Sequence, residues 1–147
     1  MFRGLSFHTL DDKNRIIIPS RFRGLISDGG DGIMLTRHEG CLYGYTYHEW
    51  DKVEMKFLAL SSKSDSLRLF IKIFIGSATQ CDCDKHGRIL IPPGLKEYAL
   101  LQKEVVVVGV LDHFEIWSKE RWQQKELQLE EELRKEDIRN EIAKLFM

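Results

Sequence analysis

The chain carries one local message twice. Asp11-Asp12-Lys13-Asn14-Arg15-Ile16-Ile17-Ile18-Pro19 returns 73 residues later as Asp84-Lys85-His86-Gly87-Arg88-Ile89-Leu90-Ile91-Pro92. Asp, Arg and Pro keep their offsets, and three aliphatic residues separate Arg from Pro in both copies. Asn14 stands opposite Gly87, and these residue types most readily accept positive φ. The match is therefore one of backbone requirement as well as of letters. Two like halves are expected to pack about a pseudo-twofold axis.

The repeat continues beyond its motif. Ile33-Met34-Leu35 aligns with Val106-Val107-Val108, Cys41-Leu42-Tyr43 with Phe114-Glu115-Ile116, and Trp50 with Trp122 after a one-residue slip. Each half is expected to run strand, tight turn, strand, short helical turn, strand, strand, helix. In half one the strands cover residues 6–10 and 15–18, joined by the turn at 11–14. Asp11 and Asp84 open the turns, where a carboxylate bonds backbone N–H groups further along, and Asn14 and Gly87 supply the left-handed residue. Pro19 and Pro92 end the second strands and start a helical turn. The apolar run Val105 to Val110 predicts a strand buried on both faces. Thr46-Tyr47-His48-Glu49 has capping-box spacing, and Ser118 is the matching N-cap in half two.

Between the halves, residues 61–76 fit both a helical stripe and a strict alternation. Ser64 and Asp65 as caps and Gly76 as a stop favour helix. From 123 to 146 there is no Gly or Pro, and the Glu, Lys, Arg, Leu and Gln content favours helix. The expected organisation is a first repeat over 5–50, a helical linker over 51–77, a second repeat over 78–122 and a helical tail over 123–147. The fold class is α+β.

At 147 residues the chain has the size of one domain, or of two halves sharing a core. Its net charge of -1 gives no global basic signature, so a nucleic-acid role needs locally concentrated cations. Residues 1–25 hold Arg3, Lys13, Arg15, Arg21 and Arg23 against Asp11 and Asp12. Each motif arginine leaves a hairpin turn, so its side chain is expected to project from the tip. Lys13, Arg21 and Arg23 are expected to join Arg15 in one cationic surface. Arg is suited to phosphate oxygens and to the guanine edge, and a hairpin can present it to a groove. Half two offers Lys85, His86, Arg88 and Lys96 and ranks below half one.

The doubled Asp-x-x-x-Arg turn, the Ile-rich strand ending in Pro and the start Met-Phe-Arg-Gly resemble the MraZ family of bacterial transcriptional regulators. Members carry two tandem SpoVT-AbrB-type half-domains, and the resemblance covers nearly the whole chain. It implies a pseudo-symmetric swapped-hairpin β-barrel core with helices around it, including a C-terminal helix. It also implies a ring-like homo-oligomer, nucleoid association in the cytoplasm, and repression of the division and cell-wall gene cluster promoter through repeated short DNA elements. Its signature falls on Asp11/Arg15 and Asp84/Arg88. Asn14 departs from the usual Gly before the first Arg, and His86 stands where Lys would be more cationic.

Other chemistries have less support. Cys81, Cys83 and His86 lack the second ligand cluster of a tetrahedral zinc site, and half one keeps no such set. Asp82 and Asp84 are the only motif for a metal-dependent hydrolase. Gly29-Gly30-Asp31-Gly32 lacks the Lys and Ser/Thr of a phosphate-binding loop. Trp50, Trp117 and Trp122 are expected in the core. No apolar run is long enough to span a bilayer, and three cysteines without a secretory signal indicate reduced cytosolic thiols. The expected protein is no enzyme, has no cofactor, metal or small-molecule substrate, and has double-stranded DNA and itself as partners. The rival expectation is an oligomeric interaction scaffold without specific DNA binding.

Overall fold

The hairpin turns close as the repeat requires. In a computed structural model that describes residues 1–60 and 64–147, Asn14 has φ 61° and Gly87 has φ 74°. Around them lie strands β1 (Leu5–Thr9) and β2 (Arg15–Ile17) in half one, and β5 (Thr79–Cys81) and β6 (Arg88–Leu90) in half two. Pro19 and Pro92 sit at the N-caps of helices α1 (Ser20–Asp28) and α4 (Pro93–Tyr98). Strands β3 (Ile33–His38) and β4 (Cys41–Thr46) then lead into α2 (Tyr47–Leu60). Strands β7 (Glu104–Val110) and β8 (His113–Ser118) lead into α5 (Lys119–Leu133). Thr46 and Ser118 cap these two helices, accepting from the N–H of Glu49 at 3.2 Å and of Arg121 at 3.1 Å.

Helix α3 (Asp65–Gly76) settles the ambiguous linker, and Ser64 accepts from the Leu67 N–H at its start. Residues 61–63 of that linker lie outside the described residues. The tail differs from the single helix expected. It is two helices, α5 and α6 (Glu136–Leu145), divided at Arg134 and Lys135. The Arg134 and Lys135 N–H groups bond the carbonyls three residues back, and Lys135 then turns extended at ψ 138°. No breaker residue marks this place, so composition did not reveal it.

The strands are exchanged between halves. A six-stranded antiparallel sheet runs β1-β7-β8-β4-β3-β5, and β2 pairs with β6 in a separate ribbon. The first strand of each half therefore lies against the third strand of the other. The sheet order reads the same from both ends when the halves are interchanged. The axis passes through the Ile16–Ile89 pair of the ribbon and the Tyr43–Glu115 pair of the sheet. Ile33 pairs with Thr46 and Val105 with Ser118, so the one-residue slip falls before the third strand and not after the fourth. The closed barrel implied by the resemblance is not formed. The sheet ends at β1 and β5 because each leaves its own turn to join the other half, while β2 and β6 pair only with each other.

The main core fills the space between one face of the sheet, the ribbon, α1 and α4. Ile16, Ile18, Phe22, Ile89, Ile91, Val105, Val107 and Phe114 meet there. Val106 points to the opposite face against Cys41 and Trp117, so β7 is buried on both sides over 105–107, as its composition predicted. Trp50 and Trp117 are buried and Trp122 is half-buried. On the axis Glu115 accepts from the Trp117 indole at 2.9 Å and meets His113 Nε2 at 3.0 Å, while His113 Nδ1 meets Asp112 at 2.8 Å. Burial opposes charge on His113, but its bonds to Glu115 and Asp112 outweigh it and hold the pKa above its ordinary value.

Ile16 and Ile89 are fully buried and related by the axis. Ile16→Ala and Ile89→Ala should each cost about 2–5 kcal/mol of stability, by similar amounts. Chemical denaturation of the two variants measures this, and an indifferent response at either site would contradict the axial packing.

Candidate nucleic-acid interface

Each Asp organises its turn through both carboxylate oxygens. Asp11 Oδ1 accepts from the N–H groups of Lys13 at 2.9 Å and Arg15 at 2.8 Å, and Oδ2 accepts from Arg15 Nε at 2.7 Å. Asp84 repeats the set with His86 at 2.9 Å, Arg88 at 2.9 Å and Arg88 Nε at 2.8 Å. Donation from the Arg15 backbone N–H, chiefly, holds the Asp11 pKa below its ordinary value against the cost of desolvation. The same cause, from Arg88, holds Asp84 at about 2.

The arginines do not project freely from the tips. Arg15 and Arg88 fold back onto their own Asp, with side chains 29% and 26% exposed. An ion pair at such exposure adds little to stability, so its main effect is to orient the guanidinium. The bond uses Nε, one of five N–H donors, and leaves the outer edge of the group able to bind. Arg15 lies opposite Leu90 in the ribbon and Ile17 opposite Arg88. Ile17 and Leu90 are more than half exposed, so two arginines and two aliphatic side chains share the outward face of the ribbon. The alternation of Arg15-Ile16-Ile17 about the buried Ile16 was the available signal for that face.

The remaining cations are distributed across the halves. Lys13, Lys85 and His86 are exposed at the tips. Lys96 of α4 donates to Asn14 Oδ1 at 2.7 Å, in the turn of half one. Arg23 of α1 lies on Gly87 in the turn of half two, so close that a Cβ there would stand 2.6 Å from its guanidinium nitrogen. Arg23 and Lys96 are themselves 73 residues apart, so the repeat alignment contained this crossing. Arg21 goes elsewhere. Its Nε donates to the Arg3 carbonyl at 2.9 Å and its Nη1 to Ser6 at 3.0 Å, beside β1. The higher rank of half one depended on Arg21 and Arg23 joining Lys13 and Arg15, and the structure does not bring them together. The turn of half two gathers Lys85, His86, Arg88 and Arg23; that of half one gathers Lys13, Arg15 and Lys96 beside Asp12.

Asp82 accepts from the Tyr47 hydroxyl at 3.2 Å, while Asp84 is committed to its turn. Among the described residues no three His, Cys, Asp or Glu side chains come together to hold a metal ion. Burial raises the thiol pKa of Cys41 and Cys83 and pushes that of Cys81 up to about 11. No helix among the described residues is long and apolar enough to cross a membrane.

A family profile described as "MraZ protein, putative antitoxin-like" matches residues 1–72 and 74–142, one stretch per half. A protein of Desulforapulum autotrophicum named "Transcriptional regulator MraZ" is 53% identical over 146 residues, covering 99% of each chain. One of the same name from Desulfosudis oleivorans is 49% identical over 146 residues with the same coverage. A third, from Halothermothrix orenii, is 47% identical over 123 residues, covering 83% of this chain and 84% of the relative.

Asp84 titrates below its ordinary value of 3.8, so its share of stability is complete above that value and is lost as pH falls toward about 2. Asp84→Asn should flatten the acid limb of the stability profile between those values. Thermal unfolding at stepped pH measures it, and an unchanged acid limb would show that Asp84 does not anchor the turn.

Proposed function

This chain belongs to the MraZ family of transcriptional regulators, and we propose that it acts by binding double-stranded DNA through the outward face of the β2–β6 ribbon and its two turns. The observation that carries this reading is the pair of Asp-anchored arginines on one ribbon, flanked by Lys13, Lys85 and His86. Carboxylates hold the guanidinium groups in place before DNA arrives, which lowers the ordering cost of binding. Lys13, Lys85, Arg23 and Lys96 supply phosphate contacts that set register. Arg15 and Arg88 face the bases or the phosphates nearest the axis.

One ribbon offers few contacts and binds weakly. Self-association into a ring of like subunits places several ribbons against repeated short elements, and linked contacts raise affinity by orders of magnitude without new chemistry. That arrangement fits a repressor of the division and cell-wall gene cluster promoter, acting in the cytoplasm at the nucleoid. In this reading residues 5–50 and 78–122 are the two repeats, 51–77 the linker and 123–147 the tail. No covalent step is involved.

Arg15→Ala and Arg88→Ala should each weaken binding to the upstream DNA of the chain's own gene by about tenfold or more, with folding retained. Both should shallow the salt dependence by about one contact. Titrations at two salt concentrations test this. Wild-type affinity in both variants would remove the ribbon from the mechanism.

A further inference from the structure

The repeat runs further than the motif and the sheet. At an offset of 72, Tyr45 and Trp50 correspond to Trp117 and Trp122. The two ring pairs share a geometry, with centroids 5.4 Å apart at 59° and 5.7 Å apart at 63°. The same offset carries α3 onto α6, placing Phe70 on Ile142 and Phe74 on Phe146.

The two helices have different fates. In half one, α3 covers the outer face of the sheet. Phe74 is 3% exposed and packs among Tyr45, Trp50 and Phe57, and its carbonyl accepts from the Thr36 hydroxyl at 2.6 Å. Among the described residues, no helix covers the corresponding face of half two in this way. Trp122 is only half-buried where Trp50 is buried. Val110 is exposed there, Leu129 of α5 is exposed where its counterpart Phe57 packs on Phe74, and β1 alongside exposes Leu5 and Phe7, the latter by 64%. Helix α6 meanwhile buries no residue, and Leu145 and Phe146 are 79% and 86% exposed.

We infer that the outer face of half two, over β7 and beside α5, is the docking site for helix α6 of a second copy of this chain. Half one is the template, since it holds a helix of matching apolar spacing on the matching surface. The single chain leaves its own α6 formed with Leu145 and Phe146 in solvent, so the contact is completed between copies, as in an exchange of like elements. Val108 replaces the Thr36 hydroxyl that holds α3, which makes this face more apolar and suited to a side-chain contact. Apolar surface of this kind, left open on both partners, is what an association surface requires. Helix and face are different surfaces of one chain, so each copy offers one and receives the other, and the contact can repeat head to tail. The inference deepens the self-association part of the proposed function and rests on it.

At the same offset Val110 and Phe146 correspond to His38 and Phe74, whose rings stack 5.8 Å apart. The test mixes full-length Val110→Cys chains with full-length Phe146→Cys chains under mild oxidation. Both sites are exposed, so either variant should fold. A disulfide-linked dimer that needs both chains is expected. In light scattering, Ile142→Glu with Phe146→Glu should bring the native assembly down toward the single-chain mass of 17.2 kDa. Absence of the mixed dimer, with native mass unchanged in the Glu variant, would overturn this interface while leaving assembly itself in place. A cross-link found only within doubly substituted single chains would assign α6 to its own half and also overturn it. A native chain of single-chain mass would remove both this interface and the multivalent part of the proposed function.

Discussion

The structure depends on one handover. The residue before each motif arginine sits in the left-handed region, and its carbonyl turns away from its own hairpin. Asn14 O then accepts from the Ile91 N–H at 2.9 Å, and Gly87 O accepts from the Ile18 N–H at 2.9 Å. Each bond ties the turn of one half to the strand end of the other. A residue unable to reach positive φ there would aim the carbonyl elsewhere, and the ribbon would lose its outer rungs. Asp11 and Asp84 serve the same end, since their bonds to the arginine N–H groups fix the turn that sets this φ. The exchanged strands follow, because a chain leaving such a turn is already crossing to the opposite half.

Much of this was legible because turn chemistry is local. The Asp, the residue tolerant of positive φ, the aliphatic strand and the Pro each impose a backbone condition within a few residues. The helix caps at Thr46, Ser64 and Ser118 were legible for the same reason. What the sequence hid is what needs the other half present. Whether β1 lies beside its own hairpin partner or beside β7 depends on long-range pairing, and the alternation of β1 suits either. The break between α5 and α6 carries no Gly, no Pro and no capping side chain, so propensity sums continued through it. The open sheet is likewise a property of six strands together.

The electrostatic reading changed in the same way. From sequence, Arg15, Arg21 and Arg23 appear as one basic run. Burial of Phe22 between the last two sends them to opposite sides, one against the start of β1 and one onto the other half's turn. A net charge of -1 is then no obstacle to a polyanion, because Asp11 and Asp84 are used inside the turns and Lys13, Lys85, His86, Arg23 and Lys96 remain around them.

Where the halves agree, the agreement serves the fold: the turns, the ribbon, the paired rings and the caps are all duplicated. Where they disagree, the difference lies outside the turns and the ribbon. Tyr47 reaches Asp82 in half one, whereas its counterpart Lys119 pairs with Glu104 at 3.5 Å beside a groove lined by Thr9 and Gln123. Tyr43 on the axis faces Glu115, which His113 and Trp117 hold ionised below the usual carboxylate range although burial opposes it. Helix α3 is docked and α6 is not. A duplicated chain that needed only to fold could keep both halves alike, since a solution that works once works twice. Divergence gathered on the outer face of half two, opposite the ribbon, puts the proposed association surface on one side of the sheet and the arginines on the other. With the two surfaces on opposite sides, the proposed assembly would leave uncovered the residues proposed to meet DNA.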